Sequence, residues 1–241
     1  MAAALISAVF AAVLGGAYTP TPAHSLSVLV FSKTKGFRHD SIPDGKKMMM
    51  EICAGQGWNV CFTEDADLFS NDNLKNFDVV MFLLTTGDVL DEKQQSAMER
   101  FIRSGGGYVG IHAASDTEYD WAWYGQLVGA YFAGHPAIQQ ATIHIEDSSH
   151  PATKHLGSEW VRTDEWYSFK SNPRSRVHVL ATVDESTFQG GLMGKDHPII
   201  WCHDFEGGRA FYTALGHTKE SYSEPKFVQM ITEAVRWAAR R

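Results

Sequence analysis

The sequence predicts an α/β protein built on a doubly wound parallel sheet, and three observations carry that expectation. Residues 27–32 (SVLVFS) and 77–84 (FDVVMFLL) are apolar runs without polar alternation, the mark of strands covered on both faces. Between and after them lie stretches whose apolar residues recur at helical spacing. A chain of 241 residues, 44% hydrophobic and 20% charged, is also large enough to bury one core without disulfide or metal staples.

The elements follow in order. The strand at 27–32 runs into a polar loop, 33–40 (KTKGFRHD). Residues 42–57 read as a helix, with Pro43 in the first turn and Met48, Met49, Ile52 and Cys53 on one face. A second strand is expected at 58–63 (WNVCFT), then a short helix, then the third strand, ending at Thr85-Thr86-Gly87-Asp88. In the helix over 91–103, Asp91 is the N-cap, Met98, Phe101 and Ile102 form the apolar stripe, and Gly105-Gly106-Gly107 ends it. Residues 108–112 (YVGIH) make the fourth strand. Right-handed crossovers gather the loops after these strands on one edge of the sheet, where ligands bind. Arg38 and His39, residues 85–88 and residues 112–116 should therefore converge. Residues 117–200 are less regular, with strand patterns at 141–145 and 176–183, and are expected to roof the crevice within the same domain. Strands at 199–204 and 209–215 and a helix over 225–239 close the chain.

Charge and cysteine content narrow the function. Lys+Arg 21 against Asp+Glu 28 leaves a net charge of −7, which argues against nucleic acid as a partner, since phosphate binding needs a basic face. Cys53, Cys61 and Cys202 are an odd set without CxxC spacing, so neither a disulfide framework nor a zinc-thiolate motif is expected. The first 32 residues contain no Asp, Glu, Lys or Arg. Within them, residues 5–17 (LISAVFAAVLGGA) are too short to span a bilayer and read as the apolar part of a secretory signal, with 18–25 as the cleavage region. No Lys or Arg follows Met1, a departure from the usual leader, and a buried N-terminal helix is the alternative. The expectation is a signal peptide at 1–25, a folded domain at 26–241, export, and no stable membrane insertion after processing. Self-association into a homo-oligomer is left open.

Several side chains could carry chemistry. Gly110-Ile111-His112-Ala113-Ala114 places His112 at a strand-to-helix turn between small residues, the context of a nucleophile elbow. An imidazole there serves as base, metal ligand or hydrogen-bond donor. Gly216-His217 follows the last strand, so His217 should reach the same edge. Asp164-Glu165-Trp166-Tyr167 sets two carboxylates before two aromatics; one should face the pocket and the other solvent, with its pKa raised by lost hydration. Of three His-Pro pairs, at His135, His150 and His197, His135 is the one expected to enter a pocket. Tyr119, Trp121, Trp123 and Tyr124 suit either a sugar-binding face or a loop core.

These blocks together resemble the ThuA-like (trehalose utilisation) family. The resemblance rests on VLVFSKTKGFRHDSIPDG at 28–45, GGGYVGIHAASDTEYDWAWYGQLVGAYFAGHP at 105–136, DEWYSF at 164–169, HPIIW at 197–201 and GGRAFYTALGH at 207–217, and covers about residues 27–240. It implies the class I glutamine amidotransferase-like fold, a flavodoxin-like three-layer sandwich with a mostly parallel sheet. In amidotransferases the elbow carries Cys; His112 stands in that place here and His217 in that of its partner, so glutamine amidotransfer is not expected. The resemblance further implies work on trehalose-like disaccharides through keto-sugar intermediates. The expected function is thus a carbohydrate-processing enzyme acting on a keto-disaccharide or glycoside by acid–base or metal-assisted chemistry. His112 is base or ligand, His217 its partner, and Glu165 or Asp116 a general acid. Arg38, His39, Tyr124, His135 and Tyr167 are the expected substrate contacts, and a divalent metal would supply an electrophile. A non-catalytic sugar-binding protein of the export compartment is the alternative.

Overall fold

The structure, a computed structural model, describes residues 25–240, so all of the signal-like segment except Ser25 lies outside the described residues. The strands are β1 (Ser27–Phe31), β2 (Asn59–Thr63), β3 (Val79–Leu83), β4 (Gly107–Ile111), β5 (Phe132–Gly134), β6 (Gln139–Ile145), β7 (Glu159–Asp164), β8 (Ser168–Phe169), β9 (His178–Val183), β10 (Pro198–Phe205) and β11 (Gly208–Thr213). The helices are α1 (Ile42–Gln56), α2 (Asn71–Leu74), α3 (Glu92–Arg103), α4 (Ala122–Val128) and α5 (Pro225–Ala238). One nine-stranded sheet has the order β2-β1-β3-β4-β11-β10-β9-β6-β7, and β5 and β8 form a separate two-stranded ribbon.

The first five strands in that order pair in parallel, as the sequence predicts. Every residue of β1, β3 and β4 is buried, which is why their sequences show no polar alternation. The helices pack α1 against α5 and α2 against α3, giving the layers of a flavodoxin-like α/β fold. Local signals set their ends. Asp91 accepts from the Lys93 and Gln94 amides while the Gln94 side chain returns to the Asp91 amide, a complete capping box, and Gly57 closes α1 at φ +68°.

The middle segment does more than roof the crevice. Strands β10, β9, β6 and β7 continue the sheet antiparallel from β11. The sequence reading has no strand at β7, and the burial pattern explains why. Its inward residues are Trp160, Arg162 and Asp164, so two of the three buried positions are charged and the apolar alternation is masked. Arg162 and Asp164 pair at 3.1 Å, which makes that burial tolerable. The roofing role falls to the β5–β8 ribbon, which brings Phe132, His135 and Tyr167 over the strand ends.

Cys53 and Cys202 are buried and Cys61 half-buried, all three free. Burial pushes the Cys53 and Cys202 thiols up to about 11 and about 12, so neither is an activated nucleophile. Among the described residues no helix is long and apolar enough to cross a membrane.

Candidate active site

Four loops meet beyond the carboxyl ends of the parallel strands. After β1, the Thr86 hydroxyl donates to the Phe37 carbonyl (2.8 Å) and accepts from the Gly36 amide (3.2 Å), pinning the loop that carries His39. After β4, His112 opens a short 3₁₀ turn at φ +51°, a strained value for a residue with a Cβ. Small neighbours permit this turn: a Cβ added at Gly110 would lie 2.7 Å from the Tyr108 hydroxyl oxygen. After β11, Gly216 adopts φ +110°, and the Gly216 and His217 amides donate to the Asp164 carboxylate at 2.9 and 3.1 Å. Asp164 in turn ends β7, just before Glu165.

These constraints bring His39, His112, His217 and Glu165 together, with one ligand-type atom from each lying within 4.8 Å of the others. His217 Nδ1 is 3.0 Å from Glu165 Oε2 and 3.3 Å from His112 Nε2, and His112 Nε2 is 3.4 Å from the same carboxylate oxygen. His135 Nδ1 lies 3.0 Å from the other oxygen, Oε1. The His39 ring stands edge-on to the His112 and His217 rings, with centroids 5.0 and 5.1 Å away. His112 is held from behind by Nδ1 to the Ala214 carbonyl at 2.6 Å and is covered by the Tyr167 ring at 3.9 Å. Above the cluster opens a cavity of about 270 Å³ lined by Phe37, His39, Asp116, Phe132, His135, Glu165, Tyr167 and His217.

The cluster sets the ionisation of its members. Burial opposes charge on Glu165, but hydrogen bonds from His112 and His217 outweigh it and bring the carboxyl down to about 2. The expected rise, based on aromatic neighbours, is therefore reversed: two imidazoles decide, and Glu165 is a carboxylate rather than a general acid at neutral pH. Burial works against a charged His217 as well, yet the Glu165 carboxylate prevails and raises its pKa. His39 has no such partner; burial and the neighbouring imidazoles of His112 and His217 push it down to about 3. Asp116 is raised by burial, against a 2.7 Å hydrogen bond from the Tyr119 hydroxyl.

Acid should therefore destabilise the fold by a definite route. An unfolded His39 takes up a proton near pH 6.5, whereas the folded one stays neutral to about 3. Stability should be lost as pH falls through that window, and Glu165 adds to the loss between its ordinary range and about 2. The raised His217 acts in the opposite sense, stabilising at low pH. Urea melts between pH 7 and 4 should show the decline, and a shallower one in His39→Gln.

Two expected substrate contacts are not brought to the site. Arg38 turns away and pairs bidentately with Glu64 at 3.0 and 2.9 Å, so the adjacent His39 faces the cluster instead. Tyr124 is fully buried, its hydroxyl donating to the Ala114 carbonyl at 2.7 Å and lying 2.8 Å from the Tyr108 hydroxyl. Tyr124→Phe should cost about 1–3 kcal/mol by stranding a buried acceptor and leave substrate KM unchanged, checked by melts and kinetics. Asp164 does not face solvent either, being fully buried beneath the His217 loop. His112 is fully buried and outside the cavity lining, so it meets the cluster rather than a substrate. His150 lies by Cys202 and Trp237, and His197 near Tyr167 and Glu185, both away from the site. Sequence reasoning passed over Phe37 and Phe132, since an aromatic on a loop carries no signal of where it points.

A mixed α/β sheet whose five parallel strands carry an imidazole at the elbow after β4 defines a flavodoxin-like α/β protein. The chain belongs to the ThuA family: the family model, described as trehalose utilisation, matches residues 27–238. That membership ties it to a carbohydrate-related role and a sugar-related ligand. Its fold is similar to a ThuA-like protein from Bacteroides uniformis (22% identity, TM-score 0.76, covering 92% of this chain and 95% of that one). It is also similar to a ThuA-like protein from Parabacteroides merdae (19% identity, TM-score 0.74, covering 89% and 90%). No curated protein matches the chain.

Proposed function

We propose that this protein is a carbohydrate-processing enzyme acting on an oxidised, keto-bearing disaccharide or glycoside. One observation carries the reading: a Glu165–His217 pair at 3.0 Å on the floor of an aromatic-walled cavity. A keto group acidifies the neighbouring C–H, so enolisation, elimination or isomerisation needs one base and one group that steadies the developing oxyanion. His217, whose pKa Glu165 raises, is suited to donate to the oxyanion, and Asp116, made more basic by burial, to take the proton. Phe37, Phe132 and Tyr167 offer flat faces for a sugar ring. The cavity, about 270 Å³, is just under the usual range for ligand pockets of about 300–1,000 Å³, so its floor admits a unit of monosaccharide size. The family description, trehalose utilisation, supports the substrate class. The apolar run at residues 5–17 supports work in the export compartment.

The test is incubation with a keto-disaccharide in D₂O, followed by NMR. The expected result is deuterium entering beside the ketone and consumption of the sugar, with the unoxidised parent untouched. A protein that sugar stabilises thermally, yet that exchanges no deuterium and consumes nothing, would be a sugar-binding protein and would overturn the proposal.

A further inference from the structure

The geometry points to a divalent transition-metal site formed by His112, His217, Glu165 and His39. Three atoms, His217 Nδ1, His112 Nε2 and Glu165 Oε2, make a triangle with sides of 3.0, 3.3 and 3.4 Å. Ligands about 2.0–2.1 Å from a tetrahedral ion stand about 3.3 Å apart, so the triangle has the size of one face of such a coordination shell. Protons cannot satisfy all of it. The carboxylate has none to give, and each nitrogen has one at most, so hydrogen bonds close two sides and leave the third as nitrogen facing nitrogen. A single cation satisfies all three.

The surroundings fit the same purpose. His112 Nδ1 lies 2.6 Å from the Ala214 carbonyl, the outer contact that fixes a metal-binding imidazole in its ring orientation. His135, 3.0 Å from Glu165 Oε1, occupies the far side of the carboxylate and leaves Oε2 to the triangle. His39 is nearly fully buried, its Nδ1 has no hydrogen-bond partner, and it supplies the fourth ligand-type atom of the cluster. Three imidazoles and one carboxylate favour zinc, iron(II), cobalt or nickel over calcium or magnesium, which take mostly oxygen ligands. Because His39, Glu165 and His217 also line the cavity, a group in the cavity could approach the ion as a fifth ligand. With the ion bound to His217 Nδ1 in place of a proton, the ion rather than that imidazole would steady a keto oxygen; this role rests on the function proposed above, whereas binding does not.

The full chain, stripped with chelator, should bind Zn²⁺ at one ion per chain with Kd tighter than about 1 μM by calorimetry. Co²⁺ should give the visible absorption of a four- or five-coordinate site, and Zn²⁺ should raise Tm. His217→Ala and His39→Ala should weaken binding about 10–100-fold or more, whereas His178→Ala, in an exposed pair with Asp147, should not. Wild-type protein that binds no stoichiometric Zn²⁺ overturns the site whatever the variants do, as does binding unchanged in both cluster variants. The two proposals fail separately. Absence of stoichiometric metal with keto-sugar turnover intact overturns the site alone, and stoichiometric metal without turnover overturns the enzyme alone.

Discussion

Glu165→Gln should lower kcat/KM on a keto-sugar by about 10²–10³-fold, the range associated with losing an oxyanion-stabilising group, because Glu165 sustains His217 in that role. The amide keeps the size of the carboxylate but loses its charge, and Glu165 Oε2 serves two imidazoles at once, 3.0 Å from His217 and 3.4 Å from His112. Without it, His217 loses the anion that raises its pKa against burial, so its pKa should fall. Kinetics and NMR titration of His217 read the two effects independently. Activity within about tenfold of the parent, with an unmoved His217 titration, would remove Glu165 from the chemistry. The contacts around His112 point to a different outcome for that residue: buried and strained at φ +51°, it is expected to affect stability as well as activity when replaced.

The second large effect is on stability. Asp164→Ala should cost about 3–5 kcal/mol, because it removes the fully buried one of the two carboxylates that neutralise a buried guanidinium. The Arg162 side chain is only 4% exposed and would keep only Glu224, at 3.1 Å, as its charged partner. The Gly216 and His217 amides would lose their acceptor, so the His217 loop should loosen and activity fall with stability. Denaturant melts measure the first and kinetics the second. Replacing Arg162 and Asp164 together by apolar residues should recover part of the stability but not the activity, since the two amides stay unpaired. Full recovery of both would show that Asp164 only neutralises Arg162.

The parallel half of the sheet was legible because its strands are apolar throughout, and burial on both faces demands that. The elbow was legible for a related reason: a sharp turn tolerates only small neighbours, and Gly110, Ala113 and Ala114 surround His112. From strand order and crossover handedness it followed that His112 and His217 share one edge, and their ring centroids lie 5.2 Å apart. Strand β7 was hidden because its inward face includes Arg162 and Asp164, a pair whose burial makes sense only once each has found the other. Among adjacent residues the sequence had no means of choosing. Arg38 and His39 both follow β1, and the Glu64 carboxylate, 26 residues on, draws Arg38 aside.

What the sequence by itself determined is the layered α/β scaffold, its family, and the edge on which chemistry gathers, because hydrophobic periodicity and turn residues act over short stretches of chain. Tertiary structure alone decided which side chains enter the cavity and which of them carry charge. The Glu165 carboxyl is governed by His112 and His217, more than fifty residues away on either side in sequence yet within hydrogen-bonding reach in space. Electrostatic energy depends on that through-space distance and on the water excluded around it, and neither is written in the order of residues.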